Sequence, residues 1–237
     1  MIVKVPLIHG LSRTKGCELA PDLVEKALKK GFHQIRVDNF DVESSQSRIF
    51  RKSMNIFKIN KRNIFLGGDH SISFPLTKAF FKINKNSCLV ILDSHADSMP
   101  YIKEPTHEEW LRALLNHKKI PVFLIGPNKI FKKEKQFLMK KRVKIIRVSE
   151  FIKDKNLIKQ IQKFKNIYLS LDMDIFSQKH FDAVTYPRKK GLNFNQVCSF
   201  IKELKPKVLD IVEFNPKKDK NNKNLKFLVK LIKCVAL

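Results

Sequence analysis

Three short polar clusters carry the residue types that bind metal ions: Gly67-Gly68-Asp69-His70-Ser71, Asp93-Ser94-His95-Ala96-Asp97 and Asp172-Met173-Asp174. In the second cluster acid, imidazole and acid recur at every second position, so in extended chain the three side chains point to one face. Small Ser94 and Ala96 between them leave a cation room to approach. The candidate ligands are His70, Asp93, His95, Asp97, Asp172 and Asp174. Two imidazoles and four carboxylates without a thiolate suit Mn²⁺ better than a structural zinc, with Ni²⁺ or Co²⁺ as alternatives. Four carboxylates at −4 also balance two divalent ions at +4. Two ions sharing carboxylates lower the pKa of a water between them and yield a hydroxide nucleophile near neutral pH, so the chemistry implied is hydrolysis. Taken singly, each cluster has a plainer reading: an aspartate after a strand caps a helix, a lone histidine sits satisfied in a core, and paired glycines make a turn.

The clusters follow apolar runs at Asn63–Leu66, Cys88–Leu92 and Asn166–Leu171, and similar runs occur at Ile2–Ile8, Gln34–Val37, Val122–Ile125, Val143–Val148 and Lys207–Val212. Their apolarity is continuous rather than alternating, which predicts strands covered on both faces. Helical spacing falls between them at Pro21–Lys30, Glu108–Asn116, Lys132–Lys141, Lys153–Phe164 and Asn195–Leu204, and a closing helix is expected at Asn224–Ala236. Alternating strand and helix predicts an α/β fold, a three-layer α/β/α sandwich around a doubly wound, mainly parallel sheet. In such sheets ligands bind beyond the carboxyl ends of the strands, so the three clusters meet in one site if their strands are neighbours.

No linker or repeat divides the chain, and residues 1–237 are expected to form a single domain. The N-terminus carries a lysine in its first apolar stretch and no cleavage-site pattern, and no run reaches the roughly 18 apolar residues of a membrane helix; a cytoplasmic, non-membrane protein is expected. Cys17, Cys88, Cys198 and Cys234 lack metal-site spacing and are expected as reduced thiols. The net charge of +26 suggests polyanions as partners. Yet only nine of 48 basic residues are arginine, and the lysines are dispersed among asparagines, so any nucleic-acid binding is expected to be non-specific.

The clusters resemble the motifs Gly-Gly-Asp-His-Ser, Asp-Ala-His-x-Asp and Ser-x-Asp-x-Asp of the ureohydrolase family of arginase, agmatinase and formimidoylglutamase. Lys15–Pro21 is similar to that family's N-terminal Gly-x-x-x-Gly-Pro segment, and Asp210–Pro216 to its C-terminal Asp-x-Val-Glu-x-Asn-Pro. The resemblance implies an arginase-like fold, a trimeric or hexameric homo-oligomer, and one Mn²⁺ held by His70, Asp93, Asp97 and Asp172. A second would be held by His95, Asp93, Asp172 and Asp174. It implies Asp97, His107 and Glu213 as catalytic residues, His107 protonating the departing amine and Glu213 gripping a guanidinium by paired hydrogen bonds.

Several positions depart from the family pattern. Glu108 stands where glycine is usual, Ser177-Gln178 replaces Asp-Pro, and Asp182–Pro187 replaces a Pro-Gly-x-Gly-x-Pro loop. Ser98-Met99 and Pro127–Ile130 lack the acids expected to read the amino-acid end of arginine. The implied reaction is attack of a metal-bridging hydroxide on a guanidino carbon to release urea and an amine, with agmatine-like substrates first and arginine second. The alternatives are a formimidoylglutamase-type hydrolase, or a catalytically altered metal-binding or basic binding protein on the same fold.

Overall fold

Residues 1–236 are described in a computed structural model of the chain. Eight strands and nine α-helices alternate: β1 (Ile2–Val5), α1 (Ala20–Leu28), β2 (His33–Gln34), α2 (Val42–Ile59), β3 (Asn63–Gly67), α3 (Ser73–Ile83), β4 (Ser87–Leu92) and α4 (Trp110–His117). They continue through β5 (Val122–Ile125), α5 (Lys132–Lys140), β6 (Lys144–Ile146), α6 (Val148–Lys153), α7 (Leu157–Ile161), β7 (Asn166–Asp172), α8 (Phe194–Leu204), β8 (Val208–Val212) and α9 (Lys223–Val235).

The strands form one sheet in the order β2-β1-β3-β8-β7-β4-β5-β6. Every pairing in it is parallel. The pleat divides each strand between two cores. Cys88, Val90 and Leu92 of β4 pack with α1 and α6–α9, whereas Leu89 and Ile91 pack with α2–α5. A sheet buried this way on both faces needs apolar residues at successive positions, which is why its strands read as continuous apolar runs.

The strands that end in the polar clusters are neighbours. β8 pairs with β3 on one side and β7 on the other, and β4 pairs with β7. Leu92 lies opposite Leu171, and Asp172 opposite Val212, so the clusters after β4 and β7 and the start of the segment after β8 leave the sheet at one level. This arrangement meets the condition under which convergence was expected.

Three expectations are corrected. Helices α2 and α3 fall where no helix was expected. The stretch 153–164 is not one helix: α6 ends at Lys153, and α7 begins only at Leu157, after a turn through Asp154. Cys198 and Cys234 are not both free thiols; they form a disulfide joining α8 to α9, while Cys17 and Cys88 are free and buried. The bonded pair lies 36 residues apart in sequence with Cα atoms 6.6 Å apart, a neighbourhood created by helix packing that sequence spacing does not reveal. Among the described residues, no helix is long and apolar enough to cross a membrane.

Candidate active site

Each candidate side chain stands at the carboxyl end of a central strand or on the segment that follows it. After β3 the chain turns through Asp69, whose carboxylate accepts from the Ser71 amide, at 3.1 Å, and from the Ser71 hydroxyl. Its other oxygen accepts from the His9 amide at 2.6 Å and the Thr14 hydroxyl at 2.8 Å. Asp69 therefore ties the N-terminal loop to the turn that presents His70. That loop closes on the C-terminal segment 210–216 through Gly16, whose φ is +114°; a Cβ there would come within 2.4 Å of Asn215 Oδ1.

His70 Nδ1 lies 2.8 Å from Asp97 Oδ2, 3.2 Å from Asp93 Oδ2 and 3.4 Å from Asp172 Oδ2. His95 Nδ1 lies 2.8 Å from Asp174 Oδ2 and 3.7 Å from Asp93 Oδ1. Two groups of metal-binding geometry result, His70–Asp93–Asp97 and Asp93–His95–Asp174, and they share Asp93. All six predicted ligands are thus brought together, all buried except the half-exposed His95.

The surroundings fit a cation. His70 Nδ1 and Asp93 Oδ2 are buried and lack hydrogen bonds, although they face each other. Burial, reinforced by Asp97, Asp172 and Asp174, pushes the Asp93 carboxyl well above the usual carboxylate range. Burial and Asp174 together push Asp172 to about 7. Burial pulls His95 down, but the Asp174, Asp93 and Asp97 carboxylates outweigh it and push the imidazole up to about 11. Burial works to raise Asp174 also, yet His95 and the Ser94 donors bring it down to about 2. Two buried carboxyls, Asp93 and Asp172, pushed up by burial and by like charges beside them form an environment that divalent cations relieve.

Neighbouring residues fix these side chains. His70 Nε2 lies 2.8 Å from Ser170 Oγ, which donates to Asp210 Oδ1 at 2.6 Å; fully buried Asp210 also accepts from Ser73 at 2.9 Å and from Tyr168. A proton on Nε2 leaves Nδ1 free as a ligand atom. The single tryptophan, Trp110, donates from Nε1 to Asp97 Oδ2 at 3.0 Å, and Ser94 donates from its amide and hydroxyl to Asp174 at 3.0 and 2.7 Å. The sequence singled out Ser94 only as a small spacer and gave Trp110 no role. Ser170 carried a signal as the serine of Ser-x-Asp-x-Asp, and Asp210 as the first acid of Asp-x-Val-Glu-x-Asn-Pro.

Two candidate catalytic residues have left-handed backbone, Asp97 at φ 44° and Glu213 at φ 68°. Such strain persists where the surroundings overdetermine it. The Glu213 amide donates to Gly68 O at 2.9 Å, and its carboxylate Oε1 accepts the His70 amide at 3.0 Å. Burial, with Asp172 and Asp69, pushes the Glu213 carboxyl well above its usual value. His107 is buried with neither ring nitrogen hydrogen-bonded, and its Nε2 lies 3.8 Å from Glu108 Oε1.

A cavity of about 240 Å³ joins these groups. Asp97, Asp172, Asp174, His95 and Glu213 line it together with His107, Met99, Phe131, Val184 and Tyr186, and Arg13, Glu108, Lys129 and Glu134 complete the charged lining. The altered loop 182–187 supplies Tyr186, whose ring stands edge-on to His95 at 5.7 Å.

Comparison with known proteins agrees with this geometry. The chain matches the arginase family over residues 1–237 and belongs to it. Members of that family are metal-dependent hydrolases acting on amidino C–N bonds. Arginase 1 of Oryza sativa subsp. indica is 26% identical over 167 residues, covering 67% of this chain and 49% of the rice protein. The chain thus matches about half the length of that curated relative. Among solved structures, formimidoylglutamase from Bacillus subtilis superposes with a TM-score of 0.89 at 20% identity, covering 99% of this chain and 84% of the other. Agmatine ureohydrolase of Thermoplasma volcanium gives 0.85 at 24%, covering 99% and 87%. At these identities the structural likeness establishes the arginase-like fold alone.

Proposed function

We propose that this protein is a two-metal hydrolase of amidino C–N bonds, with a guanidino or formimino compound as substrate. One observation carries the reading: two metal-binding groups share Asp93, and their members Asp97, His95 and Asp174 line a cavity that also holds Glu213 and His107. His70, Asp93, Asp97 and Asp172 would hold one ion, and His95, Asp93, Asp172 and Asp174 the other, Mn²⁺ suiting the oxygen-rich set best. When bound, such a pair of cations supplies an activated water near neutral pH.

The chain's own residues account for the rest. With Oε1 occupied by the His70 amide, Glu213 has Oε2 and the remaining lone pair of Oε1 for the substrate's N–H groups. A bound guanidinium would offset the burial and the Asp172 and Asp69 charges that push this carboxyl up. As water oxygen adds to the amidino carbon, Asp97 accepts its proton, and His107 donates one to the leaving nitrogen. The C–N bond then breaks, giving an amine and urea, or formamide from a formimino substrate.

Loss of the residues that would read the amino-acid end places agmatine-like substrates ahead of arginine. The reading takes the enzyme as a cytoplasmic homo-oligomer. The deciding experiment loads purified protein with Mn²⁺ and screens guanidino and formimino compounds for urea or formamide release. Turnover of one of them at a rate abolished by chelation is expected; no release from any would reject the proposal.

A further inference from the structure

Besides the metal-ligand groups, the cavity lining carries a charge of its own. Apart from its charged groups the lining is largely apolar: Met99, Phe131, Val184 and Tyr186 suit an aliphatic spacer. Two acids line the cavity besides the metal ligands and Glu213, and both are engaged. Glu108 pairs with Arg13 at 2.8 Å. Buried Glu134 accepts from the Ser98 amide at 3.1 Å, the Ser98 hydroxyl at 3.3 Å and the Phe131 amide at 3.0 Å, which uses it to pin the cavity wall to the start of α5. The remaining charge is the Lys129 ammonium. Among the described residues it makes no ion pair or hydrogen bond and lies 5.1 Å from the centre of the Phe131 ring.

A substrate with an ammonium at its distal end would meet that uncompensated cation and find no free carboxylate. A substrate ending in a carboxylate would complete the pair, and a chain of net charge +26 would draw an anion toward the cavity at long range. We infer that Lys129 is a specificity-determining residue and that the substrate is an amidino compound with an aliphatic spacer and a distal carboxylate. The inference rests on the proposed reaction and reorders its substrates, placing agmatine behind its carboxylate counterpart.

The test uses a matched pair, 4-guanidinobutanoate and agmatine, which share the reacting group and differ in the charge at the other end. Mn²⁺-loaded protein and its Lys129→Glu variant are compared by kcat/KM, and calorimetry measures binding of the two products, 4-aminobutanoate and putrescine. Wild type should favour the acid in both measurements. Lys129→Glu should shift the acid-to-amine ratio by about tenfold toward the amine, the scale of a partly exposed charge pair. Metal content, measured alongside, should not change. Preference of wild type for agmatine, a preference that Lys129→Glu leaves unmoved, or binding of neither product would overturn the inference. Rapid agmatine hydrolysis with 4-guanidinobutanoate untouched would sink it while sparing the proposed reaction. Lys129-dependent binding of 4-aminobutanoate without turnover of any amidino compound would do the reverse.

Discussion

Asp93→Asn separates a metal-bridging carboxylate from a structural one because its two expected effects have opposite signs. Asp93 belongs to both metal-binding groups, its Oδ2 has no hydrogen bond, and Asp97, Asp172 and Asp174 all repel its charge. In metal-free protein an amide removes that repulsion, and its carbonyl oxygen can still accept from His70 Nδ1, whose proton the surrounding carboxylates favour and which now lies 3.2 Å from Oδ2. One unit charge about 4 Å from another is worth about 4 kcal/mol at an effective dielectric near 20, so the gain in metal-free stability should be about 1–3 kcal/mol after protonation of the wild-type cluster is allowed for. In loaded protein the same change removes an attraction to both ions, and a loss of about 4 kcal/mol corresponds to roughly three decades in metal affinity. Calorimetric titration with Mn²⁺, elemental analysis, and unfolding with and without chelator read both effects. A metal-free variant less stable than metal-free wild type, with metal affinity unchanged, would refute the reasoning.

Other consequences follow from the same geometry. Elemental analysis after Mn²⁺ loading should give close to two ions per chain, and a chelator should lower Tm. Glu213→Gln keeps the shape but not the charge, so kcat/KM should fall by about two to three decades, the roughly 2–5 kcal/mol of a charge-assisted contact, with metal content unchanged. Metal-free protein should lose stability between pH 5 and 9. Asp172, raised to about 7 in the fold, favours the protonated state, so stability falls as pH rises from its unfolded value near 4 toward 7; the contribution of His95, raised to about 11, is complete below about 6.5 and declines above it. Mn²⁺ affinity should rise over the same range because those protons must leave, and a flat metal-free Tm would contradict the assignment. The Cys198–Cys234 bond spans 36 residues and should contribute about 3–4 kcal/mol in oxidised protein; dithiothreitol should lower Tm in wild type and leave Cys234→Ser unaffected.

The central strands were legible because burial on both faces writes them as unbroken apolar runs. β3, β4, β7 and β8 fall within a residue of their expected limits. Their order was not legible: nothing in a sequence states that β8, last of the strands, inserts between β3 and β7. The helices that escaped detection have identifiable reasons. α2 buries Ser45, Gln46 and Ser53 beside Ile49 and Phe57, so polar residues dilute its apolar stripe. α3 is buried almost all round, from Phe74 to Phe81, and a helix without a polar face has no periodicity to find.

At the site, the legible residues are those whose chemistry is unusual for their position, carboxylates and imidazoles clustered at strand ends. The residues that hold them, Trp110 on Asp97 and Asp210 behind Ser170, are ordinary buried side chains whose contacts span 13 to 40 residues. Specificity is more hidden still. Lys129 is one of many dispersed lysines in the sequence, and only the engagement of Glu108 by Arg13 and of Glu134 by Ser98 and Phe131 makes its charge the uncompensated one. The reaction class therefore follows from local spacing, whereas the choice of substrate follows from which charges the fold has already paired.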